Sequence, residues 1–133
     1  MLKSVMISEI KSHFPDAAIE FGTDGNVIAT FAPIHPSWEP IDVIDDGDEA
    51  TVFFGNFTHG HYGRFGDEAT HELDAQSIAA DVIKDLQLVF DDQFEFYKLR
   101  GGGGGRRARG SQGKLSKFLH GANGTVWSGR VSQ

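Results

Sequence analysis

The chain has 133 residues, of which 39% are hydrophobic and 11 are phenylalanines, with no cysteine and a net charge of −7. That length suits one domain with its own apolar core, since chains near this size bury roughly two-thirds of the surface their unfolded forms expose. Lacking cysteine, the protein cannot use disulfides, thiol nucleophiles, thiolate zinc sites or iron–sulfur clusters.

Leu2, Val5, Met6, Ile10 and Phe14 recur on one helical face, which predicts a short amphipathic N-terminal helix ended by Pro15. Lys3, Glu9 and Lys11 interrupt this segment, so it does not resemble a secretory leader. Nowhere do eighteen apolar residues run together, and a cytoplasmic protein away from the membrane is the expectation. Two β-prone runs follow, 18–21 and 26–32, joined through Thr23-Asp24-Gly25, where Asp-Gly favours a tight hairpin. Pro33, Pro36 and Pro40 exclude a central strand or helix interior between them, leaving a loop pinned by Trp38. A third strand over 41–44 leads through the acidic turn Asp45-Asp46-Gly47-Asp48 to a fourth over 50–57, continued or followed by another over 58–65.

The clearest helix spans Asp74 to Phe90. Ala75, Ile78, Ala79, Val82, Ile83, Leu86, Val89 and Phe90 form one wide apolar stripe, and Asp74 is the expected N-cap. Phe94, Phe96 and Tyr97 mark a strand after it. Five consecutive glycines, 101–105, precede Arg106, Arg107 and Arg109, and the whole of 101–113 reads as a flexible Gly/Arg-rich loop. Residues 114–133 read as a C-terminal hairpin around Asn123-Gly124, with a short helix over 114–119 as the competing assignment. The expected architecture is one α+β domain over 1–133: a mostly antiparallel sheet, one long helix on one face, and the short N-terminal helix.

Charge is distributed unevenly. Residues 1–97 hold all 19 acidic residues and four basic ones, a net −15, whereas 98–133 hold eight basic residues and no acidic one. Either the tail lies against its own acidic body, the favoured reading, or it reaches an acidic partner such as RNA. Arg106, Arg107 and Arg109 are the candidate contacts in the second case, although one short block without interleaved aromatics argues against nucleic acid. Trp38 and Trp127 are candidate protein-interaction residues, with the alternative of a tryptophan lid on a small core preferred.

Thr58-His59-Gly60-His61-Tyr62 is the most chemically pointed stretch. On a strand His59 and His61 share a face, so both imidazoles can approach one zinc-like divalent metal. His71, with Glu72, Glu68 or Asp67, is the candidate to complete the shell. The bland alternative is a pair of surface histidines bonded to nearby carboxylates. The acidic turn from Asp42 fails the calcium-loop template, with Ile44 third and Phe53 twelfth, and reads as a solvated hairpin. No Gly-x-Ser-x-Gly elbow or Gly-Lys-Ser/Thr phosphate loop occurs, so no catalytic residue is assigned.

Together the acidic turn 45–52, the Thr58–Tyr62 block, the helix into Phe90 and Trp127-Ser128-Gly129 resemble a family of short acidic bacterial proteins of unknown function. The resemblance covers roughly residues 38–100 plus the late tripeptide. It implies a bacterial source and transfers no catalytic residue. The expected function is therefore a non-enzymatic cytosolic binding domain whose acidic body meets a protein partner. A metal-binding domain built on His59 and His61 is the alternative, and an RNA-associated protein the third.

Overall fold

In a computed structural model, residues 2–22, 25–47, 49–63, 71–98, 103–109 and 124–129 are described, with backbone alone at 71–73. The elements run α1 (Leu2–His13), β1 (Ile19–Phe21), β2 (Val27–Phe31), β3 (Ile41–Asp45), β4 (Glu49–Phe54), β5 (Thr58–Gly63), α2 (His71–Phe90), β6 (Phe94–Lys98) and β7 (Gly104–Ala108). Strands β1 to β5 form an antiparallel meander in sequence order, and β6 pairs with β7 in a separate two-stranded sheet. This is the α+β architecture that the periodicities predict.

The alternation of side chains along each strand sorts the meander into two faces. Ile19, Phe31, Ile41 and Phe54 lie opposite one another across β1 to β4, as do Phe21, Ala29, Val43 and Val52 one step along. These residues point inward, where α1 and α2 pack on the sheet and on each other. Helix α1 buries Leu2, Met6 and Ile10, and α2 buries Ala75, Ile78, Ala79, Val82, Ile83, Leu86 and Val89. Burying each large aliphatic side chain stabilises the fold by about 1.5–3 kcal/mol. Trp38 pins the proline-rich loop as expected, at 4% exposure, with its indole donating to the Val126 carbonyl at 2.9 Å.

Several boundaries differ from the sequence expectation. The long helix starts at His71, so Asp74 sits inside it and is not the N-cap. The strand expected over 50–57 stops at Phe54, because Gly55 takes φ 58° and the Phe57 amide turns back to the Phe54 carbonyl. The stretch after that turn is a separate strand, β5.

The larger correction concerns residues 101–113. Part of this supposedly flexible loop is strand β7, in register with β6 from Phe94↔Ala108 to Lys98↔Gly104. Its glycines serve close packing: a Cβ on Gly104 would run into the Phe57 and Tyr97 carbonyl oxygens, and one on Gly105 into the Tyr97 hydroxyl. Of the expected C-terminal hairpin, 114–123 and 130–133 lie outside the described residues. Thr125 makes an isolated antiparallel bridge with Phe96, which places 124–129 beside β6.

Candidate functional site

The outward residues of the five-stranded sheet form rows as regular as the inward ones. One row crosses every strand: Glu20 faces Thr30, Thr30 faces Asp42, Asp42 faces Phe53, and Phe53 faces His59. A second row runs Ile44, Thr51, His61. The Thr30 hydroxyl donates to Asp42 at 2.7 Å, fixing that carboxylate on the sheet surface. Phe53 is 43% exposed, and its ring stands 5.5 Å from that of His59. Both helices pack on the other face, so this aromatic sits on a surface that no described element covers.

His59 and His61 share this face, as the period-two argument requires, and their rings meet edge-on with centroids 5.1 Å apart. The groups that converge on His61 are others. Its Nδ1 lies 3.1 Å from Glu49 Oε1 and 3.1 Å from the Thr51 hydroxyl, and that hydroxyl donates to Asp46. Ligand atoms of Asp46, Glu49 and His61 all lie within 4.8 Å of one another, with His59 outside the set. The side chains of His71 and Glu72, and residues Asp67 and Glu68, lie outside what the structure describes.

In the sequence alone Asp46 and Glu49 read as part of a solvated turn, with nothing to connect them to His61. The turn is a hairpin, with Gly47 at φ 90° and its amide bonded to Asp45 Oδ1 at 2.9 Å. The connecting signal lay in the second hairpin. Reflecting the chain about Asn56 sets His61 opposite Thr51 and beside Glu49, which requires the turn to be placed at Gly55.

The interaction candidates are placed elsewhere. Trp38 and Trp127 are buried, at 4% and 5% exposure, with rings 4.9 Å apart, and they close the core as the lid reading has it. Arg106 donates to Asp85 at 2.9 Å and lies 4.8 Å from the Phe54 and Phe94 ring centres. Arg107 Nε meets the fully buried Glu95 at 2.5 Å, and the exposed Arg109 hydrogen-bonds through its amide to the Gln93 carbonyl at 2.8 Å. At Arg106 and Arg107 the basic block lies against its own acidic body.

On the inward side of β5, Tyr62 donates to Asp85 at 2.6 Å while Arg106 donates to both. Burial, then the bond to Asp85, pushes the Tyr62 phenol above its ordinary range against the opposing pull of Arg106. The triad ties β5, α2 and β7 together. A separate cleft of about 510 Å³ opens beside the end of α1, floored by Phe14, Phe31, Phe90 and Trp127 with Ile34 at its edge.

Among the described residues no helix is long and apolar enough to cross a membrane. No protein-family model, curated protein or solved structure matches the chain.

Proposed function

We propose that the protein is a non-enzymatic binding domain of the bacterial cytosol that holds a basic protein partner on the sheet face opposite the two helices. The observation that supports this reading is the row Glu20–Thr30–Asp42–Phe53–His59, an exposed aromatic set among carboxylates. The whole segment from residue 14 to residue 63, which folds into this sheet, contains no lysine or arginine. Its own fixed charges are therefore all negative, which speeds encounter with a cationic surface and disfavours an anionic one. Phe53 supplies the apolar anchor such a contact needs, because aromatic side chains dominate the energetics of protein interfaces.

The test is affinity capture from the native host, followed by reconstitution with the purified protein that is retained. Asp42→Lys/Phe53→Glu removes the face, and Asp81→Asn on the solvent side of α2, which changes net charge by the same one unit, serves as the charge-matched control. The partner should be basic and bind the control like the parent. It should bind the face variant about thirtyfold more weakly or less, as loss of a hot-spot aromatic implies. Equal binding by all three proteins, with the variant's circular dichroism unchanged, would remove the sheet face from consideration.

A further inference from the structure

We infer that Asp46, Glu49 and His61 form a binding site for one divalent transition-metal ion on the sheet face. The site is independent of any protein partner. Its ligand set differs from the three-histidine arrangement that the sequence suggests.

Three lines of geometry carry the assignment. First, the separation of donors fits one ion. With metal–ligand bonds of about 2.1 Å, neighbouring donors stand about 3.0 Å apart in an octahedron and about 3.4 Å apart in a tetrahedron. His61 Nδ1 and Glu49 Oε1 stand 3.1 Å apart. Asp46 is the third donor within 4.8 Å, and it sits exposed at the turn, where a side-chain rotation draws it in. By contrast, the other histidine–carboxylate pair, His13 with Glu9 at 3.4 Å, has no third donor among the described residues.

Second, the two oxygens that face His61 Nδ1 both act as acceptors toward it. The Thr51 hydroxyl has one hydrogen and gives it to Asp46, so toward His61 its oxygen can only accept. Glu49 also only accepts. The network therefore assigns the imidazole proton to Nδ1, where it is shared between two acceptors at 3.1 Å. A cation at that point satisfies Glu49, Asp46 and, once the proton moves to Nε2, the Nδ1 lone pair together.

Third, the two carboxylates are held close to each other on a segment without lysine or arginine. A metal ion removes a like-charge repulsion that the fold otherwise leaves to solvent. One imidazole and two carboxylates form a mixed donor set suited to zinc and its neighbours, and solvent completes the shell at this exposed position.

The experiment is calorimetric titration of tag-free protein with Zn²⁺, alongside nitrogen NMR of the histidine rings. The parent should bind one Zn²⁺ in preference to Mg²⁺ and Ca²⁺, with His61 converting to an Nδ1-ligated, Nε2-protonated ring. His61→Ala, Glu49→Gln and Asp46→Asn should each weaken binding about tenfold or more, since even residues behind the ligands have effects of that size. His59→Ala should leave it within about threefold of the parent. No saturable binding by the parent overturns the proposal. So does binding that survives Glu49→Gln and Asp46→Asn, or a ring signature that appears on another histidine. Circular dichroism of each variant separates loss of the site from loss of the fold.

Discussion

Tyr62 shows how much one side chain does here. Its ring belongs to the inner face of β5, its hydroxyl donates to Asp85 on α2, and Arg106 of β7 donates to both groups. A phenol whose folded-state pKa lies above the ordinary value of about 10 keeps its proton in the folded state while the unfolded chain loses it. The folded state then binds more protons, so stability falls as pH rises beyond about 10. Tyr62→Phe removes both the hydrogen bond and this linkage. At pH 7 the variant should be about 1.5–3 kcal/mol less stable than the parent, the net value of a hydrogen bond to a charged group. In urea denaturation series the gap should narrow above pH 10; a constant gap up to pH 11 would contradict the assignment. The sequence placed Tyr62 beside the histidines but not its partners, since Asp85 and Arg106 are 23 and 44 residues away in the chain. His59 and His61 needed only period-two alternation to be put on one face. Glu49 and Asp46 needed the register of a hairpin, which depends on a single glycine conformation at Gly55.

At the scale of elements, the end of α2 carries the most information. The Gln93 amide bonds the Leu88 carbonyl at 2.8 Å and the Asp92 amide bonds the Val89 carbonyl at 3.0 Å, the paired closure of a Schellman motif. The residue at its left-handed position is Asp92, with φ 59°, where glycine is usual. The side chain explains the exception: Asp92 accepts from the Ser128 amide at 3.0 Å and hydroxyl at 2.6 Å, docking the 124–129 segment onto the helix end. Backbone strain and side-chain docking therefore oppose each other at this position. Asp92→Asn keeps an acceptor and tolerates the conformation, so it should cost least. Asp92→Gly relieves strain but loses both bonds, for about 1–2 kcal/mol. Asp92→Ala does both harms and should cost most, about 2–3 kcal/mol. Midpoints of chemical denaturation give the order, and Gly equal to or better than Asn would show that the docking bonds contribute no more than the backbone strain they are set against. The apolar stripe of α2 and the alternating strands were legible because burial imposes those periods. Strand β7 was not, because five glycines look like mobility in a sequence, and only the neighbouring carbonyls of Phe57 and Tyr97 reveal that side chains cannot fit there.

For the molecule as a whole, the acidic body and the described part of the basic tail are joined by packing as well as by charge. Arg106 and Arg107 reach Asp85 and Glu95, while Trp127 closes on Trp38 and Phe90 with ring centroids 4.9 and 5.4 Å away. The last described segment is thus a wall of the core, and a chain cut after Arg100 would lose β7 and this wall together. Truncation there tests the fold more than any role of the arginines in binding RNA. A point substitution separates the contributions. Trp127→Ala should cost about 3–5 kcal/mol, the range for removing a large buried aromatic. It also opens the Phe14–Phe31–Phe90 floor of the cleft beside α1. The outer sheet face lies across the sheet from this damage. The variant, kept folded at low temperature, should therefore still bind Zn²⁺ at Asp46, Glu49 and His61 with the parent's affinity, while its unfolding midpoint in urea falls sharply. Parallel loss of both properties would mean that the sheet does not hold the metal site apart from the core it covers.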